Sequence, residues 1–371
     1  MPDSPDDWER AYWLSWAAID GIGPHRLKRL HQHFGSLGRA WQADEPDLMA
    51  VEGIGLQLAL TIQSQRRQQD PAAMLEKMAK PGIPFLTPAD PRYPRLLWEL
   101  PDPPPLIYTL GQPVAWEPAI AIVGTRSPTP YGKRWTEQLA TALAQAGFLI
   151  VSGMAAGIDG VAHQAALKVG GSTVGVLGTG VDQVYPPQHR ELFSQMRSQG
   201  CLISEFAPGV GPAKENFPRR NRLIAGLTQA TLVMEAPHRS GALITAYLAN
   251  DYGRDVFALP GSLDNPAARG CLNLLRTGAG LILGVEELLT ELGSVVTASE
   301  RSEAVADPPL PALQGSQKVI FETLSTDPIS LDALAQLTQL DINTISSELL
   351  MMELEGWVVQ LPGMRYQRSR A

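Results

Sequence analysis

Three short apolar runs, each stopped by a glycine-rich turn, limit this 371-residue chain to few folds. Ala119-Ile120-Ala121-Ile122-Val123 closes in Gly124-Thr125-Arg126-Ser127. Phe148-Leu149-Ile150-Val151 closes in Ser152-Gly153-Met154-Ala155-Ala156-Gly157, and Thr173-Val174-Gly175-Val176-Leu177 in Gly178-Thr179-Gly180. Runs of this length without polar alternation read as strands buried on both faces. Further runs follow at 202–206, 230–235, 256–259 and 280–283, with helical patterns such as 133–146 and 242–252 between them. Residues 119–292 are therefore expected to form an α/β domain, an extended Rossmann-like doubly wound sheet. In such a sheet the loops after the strands gather at one edge, and ligands bind where the strand order reverses.

Ahead of the 230–235 strand stands Phe217-Pro218-Arg219-Arg220-Asn221-Arg222, three arginines in four positions. A guanidinium fork matches phosphate oxygens and stacks on bases. A helix starting near Arg219 adds the partial positive charge of its N-terminus. Arg126 and the 219–222 cluster are expected to face one cavity, and the ligand there should be anionic. The usual nucleotide signatures are absent. No G-x-G-x-x-G follows the first strand, and Arg134 stands where a Walker A loop needs Ser or Thr. No cofactor is implied, and phosphate would be held by turn amides.

The net charge of −8 argues against general stickiness to nucleic acid, but it is unevenly spread. Residues 120–290 carry 14 Lys and Arg against 12 Asp and Glu; 1–119 carry 11 against 15, and 291–371 carry 5 against 11. Only the glycine-rich centre is not acidic. No apolar run approaches ~18 residues and no signal peptide is evident, so a cytoplasmic, membrane-free protein is expected. Cys201 and Cys271 match no metal or redox spacing and read as buried free thiols. His31 and His33, two apart, would not share a helix face, so no metal site is expected.

The flanks differ from the centre. Residues 1–80 open with a tryptophan-rich helix at 8–19 and carry Gly21-Ile22-Gly23 and Gly53-Ile54-Gly55 between helical patterns. This resembles the helix-hairpin-helix family, whose hairpin amides can meet DNA phosphates; a compact helical (helix-hairpin-helix or SAM-like) module using glycine only for tight turns is the alternative. A proline-rich connector, 81–118, leads into the sheet, and a polar linker, 293–312, leaves it. Beyond it, helices at 314–324, 330–338 and 342–355, then a hairpin about Pro362-Gly363, make a winged helix over 313–371. Its third helix carries Glu348, Glu353 and Glu355 and no basic residue, so protein contact or a stabilising role is expected rather than groove reading.

The motifs also stand in a familiar order. Gly124-Thr125-Arg126, Tyr131-Gly132, Ser152-Gly153 with Gly157-Ile158-Asp159 and Ala162-His163, Leu177 to Asp182 with Tyr185-Pro186, Ser204-Glu205-Phe206, the 217–222 run and Ser240-Gly241-Ala242 resemble the DNA-processing protein A (DprA/Smf) family. The resemblance spans nearly the whole chain. It implies a Rossmann domain that binds single-stranded DNA, protects it and helps load RecA recombinase during natural transformation, without catalysis and as a homodimer. By resemblance Arg126 is a DNA contact. The arginines Arg219, Arg220 and Arg222, with Asn221, Phe217, Tyr185, Gly124 and Thr125, are expected to share the site. Ser152, Gly153, Gly157, Asp159, Gly178, Gly180, Ser240 and Gly241 are expected to support it. The chain departs from the family where Pro187-Gln188 and Ala156 replace frequent basic residues, which lowers the positive character of the site.

An enzymatic reading stands beside this one. Asp159 and His163, four apart on one helix face, could form an acid–base pair, and the same glycine turns could hold a mononucleotide, making a nucleotide-processing enzyme. The alternative is that Asp159 caps the helix while His163 packs. Glu205 and Glu235, at strand ends, are expected to orient Arg220 or Arg222. The late sheet edge, 256–283, is expected to pair subunits unless the 81–118 connector covers it.

Overall fold

The computed structural model describes residues 4–79, 82–293, 315–325, 328–355, 357–361 and 363–368. Contacts divide the chain into two units, residues 1–295 and 296–371.

The first unit opens with six helices: α1 (Pro5–Ala17), α2 (Pro24–Phe34), α3 (Leu37–Gln42), α4 (Glu45–Met49), α5 (Leu56–Arg66) and α6 (Pro71–Ala79). Trp13, Trp16, Leu27, Leu30, Leu48 and Ile62 fill their core. The two Gly-Ile-Gly hairpins fold alike. Gly21 and Gly53 take φ of +82° and +86°, a left-handed conformation that favours glycine, and Gly23 and Gly55 each precede a helix in extended conformation. The basic residues after the first hairpin are engaged internally. Arg26 donates to the carbonyls of Gly53 (2.9 Å) and Gly21 (2.7 Å), Arg29 to that of Glu52, and Lys28 to those of Trp98 and Leu100.

The sheet has nine strands: β1 (Phe85–Leu86), β2 (Ile107–Gly111), β3 (Ala119–Val123), β4 (Leu149–Ser152), β5 (Thr173–Val176), β6 (Cys201–Ser204), β7 (Ala230–Val233), β8 (Asp255–Ala258) and β9 (Gly280–Leu281). Their order is β1-β2-β6-β5-β4-β3-β7-β8-β9. From β3 to β9 every neighbouring pair is parallel. The chain builds outward from β3 to β6, then returns to place β7 on the other side of β3, so the order reverses at the β3–β7 boundary. Residues 81–118, expected as a connector, instead extend the sheet: α7 (Arg95–Glu99) lies between β1 and β2, and β2 pairs antiparallel with β6. They close the edge opposite to the one where a cover was considered, and β9 is left as the terminal strand of the late edge.

Helices α8 (Pro130–Gln145), α9 (Ile158–Lys168), α10 (Arg190–Gln199), α11 (Asn216–Gly226), α12 (Gly241–Asp251), α13 (Arg269–Arg276) and α14 (Val285–Glu291) cover the sheet. Strand alternation divides the apolar side chains between its faces. Ala119, Ala121 and Val123 pack with Leu223 and Ala246; Ile120 and Ile122 pack with Leu139, Ile158 and Leu232. Each fully buried isoleucine stabilises the fold by ~1.5–3 kcal/mol. Cys201 and Cys271 are free and buried, and burial pushes both thiols up to about 12.

In the second unit, α15 (Gly315–Thr323), α16 (Leu331–Thr338) and α17 (Ile342–Leu354) precede the hairpin of β11 (Val358–Leu361) and β12 (Arg365–Arg368). A short strand, β10 (Ile329–Ser330), pairs with β12 to complete a winged helix. Ser330 caps α16 by accepting from the Ala333 amide. Glu348 of α17 accepts from Ser316 and Gln317, so one of the acidic groups on that helix has a structural partner. Most of the expected linker (294–312), Gln314 and Pro362 lie outside the described residues.

Candidate anion-binding cleft

The site lies where the strand order reverses. The buried β3 run ends at Gly124, and the Thr125 amide donates to the Glu235 carbonyl (2.6 Å), tying the loop after β3 to the loop after β7. Arg126 follows, exposed, with no hydrogen bond or ion pair among the described residues. Gly157, at φ +83°, lets the α9 turn pass under this loop: a Cβ there would lie 2.7 Å from the Arg126 carbonyl carbon. The Glu235 carboxylate, 2% exposed, accepts from the Thr129 amide (2.8 Å) and hydroxyl (2.6 Å) and so anchors the start of α8. It orients no arginine among the described residues.

Helix α11 begins at Asn216, nearly one turn before the expected start. At about 100° per residue, Arg219, Arg220 and Arg222 then point in different directions. Arg220 turns inward and is 5% exposed. Its Nη1 donates to the carbonyls of Gly153 and Val176 and its Nε to Asn221 Oδ1, while Nη2 makes no hydrogen bond among the described residues. Burial lowers this guanidinium to about 10, opposed by the nearby Asp159 carboxylate, so it stays a cation at neutral pH. Arg222 turns the other way. It pairs with Glu205 and with Asp102 (3.5 Å), and donates to the Asp102 carbonyl. Arg219 is exposed, its guanidinium 5.5 Å from the Phe206 ring centroid. Arg219 and Arg222 line a separate cavity with Ile22, Pro24 and Leu27 of the helical module. The single cavity expected for all the arginines is thus corrected to one holding Arg126 and Arg220.

That cavity, about 340 Å³, is lined by Gly124, Thr125, Arg126, Phe217, Arg220, Asn221, Ser240 and Gly241 among others. Asn221 holds its rim by donating to the Gly241 carbonyl. Ser240 caps α12, accepting from the Ala242 amide, and a Cβ on Gly241 would meet nothing within 4 Å, so the backbone there lies open. The starts of α9, α11 and α12 all contribute lining residues, which adds helix-end potential to the two guanidinium charges. An adjoining cavity of about 250 Å³ is lined by Met154, Leu177, Gly178, Thr179, Tyr185 and Phe217, with Arg126 and Arg220 shared. The Tyr185 and Phe217 rings lie 5.3 Å apart, and Arg126 stands 5.9 Å over Phe217. Gly178 leaves room for the Phe217 ring, which a Cβ would meet at 2.9 Å.

The other supporting residues act behind the cleft. Ser152 donates to the Ile122 carbonyl (2.6 Å), linking β4 to β3. Gly153 fits between Arg220 and Asp159, and Gly180 against the Ala207 carbonyl. Asp159 accepts from the amides of Gly153 (3.0 Å) and Ala155 (3.3 Å). Burial raises its carboxyl, against the pull of Arg220. His163 does not pair with it. Its Nδ1 lies 2.7 Å from Thr173 Oγ1, and burial lowers the imidazole to about 3. The pair is engaged separately and is not arranged for acid–base exchange. Among the described residues no three His, Cys, Asp or Glu side chains could hold a metal ion, and no helix is long and apolar enough to cross a membrane.

Arg239 was not singled out from the sequence, yet it lines the first cavity, exposed and without an ion pair among the described residues. Its position one residue before Ser240-Gly241, at the loop across the switch point, was the available signal.

Fold and site together define a Rossmann-like domain with a basic cleft at its switch point and a winged helix beyond it. The family model of DNA recombination-mediator protein A matches residues 84–293, and that of the DprA winged helix domain matches 304–364. Protein Smf of Synechocystis sp. is 45% identical, over 97% of this chain and 99% of its own. DNA processing protein DprA of Streptococcus pneumoniae is 39% identical over 60% of this chain and 79% of its own. The X-ray structure of DprA from Streptococcus pneumoniae superposes with a TM-score of 0.66 at 32% identity, covering 78% of this chain and 99% of that one. The DprA of Helicobacter pylori, described for its single-stranded DNA binding mode, gives 0.52 at 32% identity over 56% and 95%. The chain belongs to the DprA/Smf family of DNA-processing proteins.

Proposed function

We propose that this protein binds single-stranded DNA in the switch-point cleft, without marked sequence choice, and acts as a non-catalytic recombination mediator. The observation that carries this reading is Arg126: exposed, without an ion pair among the described residues, poised over the Phe217 ring, and lining one cavity with Arg220 and Arg239. Cations would track the backbone while Tyr185 and Phe217 offer ring faces to bases, the combination that suits single strands. The relative from Helicobacter pylori, described for binding single-stranded DNA, supports the ligand class. In the same reading the protein works in the cytoplasm as a homodimer through the late sheet edge, where Leu281 and Leu283 are 43% and 67% exposed, and hands its strand to RecA during transformation. Comparing single-stranded and duplex oligonucleotides across a salt series tests the proposal. Affinity should favour the single strand and fall steeply with salt through counterion release. Equal binding of both forms at every salt concentration would refute it.

A further inference from the structure

A further cavity of about 300 Å³ is lined by Arg126, Ser127, Lys133, Gly160, Gln164 and His189 among others. Arg126 also lines the two cavities of the cleft, so all three share this residue. The lining of this one contains no Asp or Glu. Lys133 is exposed, and its ammonium has no hydrogen bond or ion pair among the described residues. His189 is fixed by its Nδ1, 3.1 Å from the Met154 carbonyl oxygen. A carbonyl only accepts, so Nδ1 carries the proton and Nε2 of the neutral ring is a bare acceptor. Nε2 has no partner among the described residues, and a Cβ on Gly160 would meet it at 3.0 Å, so the imidazole lies over the first turn of α9. That helix has Gly157 at its N-cap and so no side-chain cap, whereas the start of α8 is already covered by Thr129 and the Glu235 carboxylate.

We propose that this cavity is a phosphate subsite, in which Lys133 and a protonated His189 hold the backbone of the bound strand beyond Arg126. The proposal rests on the reading that single-stranded DNA occupies the cleft. A backbone phosphodiester carries no proton to share at neutral pH, so only an imidazolium can donate to it from Nε2. Binding at this subsite therefore takes up one proton, from solvent onto His189. The groups around that ring are the cations Arg126 and Lys133, the uncharged Gln164, Gly160 and Met154 carbonyl, and the buried neutral His163. Arg190 and Glu191 follow it in the chain, and the Asp159 carboxylate is turned to the Gly153 and Ala155 amides. A phosphate at this place supplies the acceptor that an Nε2–H needs, which couples protonation to binding.

The test is fluorescence anisotropy with an oligo-dT strand, over a salt series at pH 8 and pH 6, for the full chain and three variants. Wild-type affinity should rise toward pH 6, by at most tenfold per pH unit for one proton. His189→Gln should lose that rise. Lys133→Ala should flatten the plot of log affinity against log salt by about 0.7, one phosphate contact on a single strand. An unchanged salt slope in Lys133→Ala, or an unchanged pH response in His189→Gln, overturns the subsite. Lys133 is exposed, so its slope decides the matter should His189→Gln fail to fold. Arg126→Ala separates the two readings: if it weakens binding while the subsite variants do nothing, only the subsite falls; if it too does nothing, the cleft reading falls with it.

Discussion

Replacing Arg126 by alanine should weaken single-stranded DNA binding and leave the fold almost untouched. Within the protein its guanidinium stands over the Phe217 ring at 5.9 Å, a contact worth ~0.5–1 kcal/mol at an exposed site, which bounds the stability it can lose. Hydrogen bonds from a guanidinium to a phosphate contribute about 1.5–3 kcal/mol, so Kd should rise roughly 10- to 150-fold. Arg222→Ala should do the opposite. Arg222 and Glu205 have side chains only 11% and 8% exposed, and breaking a buried ion pair costs about 3–5 kcal/mol. At roughly 2 °C per kcal/mol for a unit of this size, Tm should fall by about 6–10 °C. Arg126→Lys keeps the charge but loses the fork, and should bind between wild type and alanine. Anisotropy with a fluorescent oligonucleotide and thermal melts of the same preparations measure both quantities. An Arg126→Ala protein that binds like wild type, or one that melts several degrees lower, refutes the assignment of this side chain to the ligand.

The His163 imidazole lies below its ordinary value of 6.5, at about 3, so the unfolded chain takes up a proton first as pH falls. Stability should be lost below pH ~6.5 at up to about 1.4 kcal/mol per unit, and denaturant unfolding at pH 7 and 5.5 should show the loss shrinking in a folded His163→Asn protein. Asp159, raised by burial, pushes the other way as pH falls through its raised value, and the comparison with His163→Asn separates the imidazole from it. Removing residues 313–371, which hold the core of the second unit (Ile320, Leu334, Ile345 and Leu349), should leave most single-strand affinity intact. A tenfold loss in the truncated, folded protein would show that the winged helix reaches DNA. Leu283→Lys, at the late sheet edge, should shift light-scattering mass from dimer to monomer at micromolar concentration; a wild-type protein that is already monomeric removes the proposed interface.

Much of this architecture is written locally. Runs such as 119–123 and 148–151 are apolar on both faces because helices cover both faces of a parallel sheet, and Gly124 and Gly153 in the turns that end them stand where a Cβ would collide. The winged helix was legible for the same reason: its helices carry their caps and apolar spacing in contiguous residues, as Ser330 and Asp341 show. The tertiary structure alone decided the rest. The two-residue strand at 85–86 and the proline-flanked one at 107–111 have too little local pattern to be seen, and exist because β6 offers an unpaired edge. Starting α11 at Asn216 set where each arginine points, sending Arg220 to the cleft and Arg222 to Glu205. Asp159 and His163 parted because each found a nearer partner in another segment. Arg239 and Arg126 meet across 113 positions of sequence because the strand order reverses between β3 and β7. Turn chemistry and strand burial act over a few residues, so sequence can determine them; which charges share a cavity depends on helix phase and strand order, which only the folded chain settles.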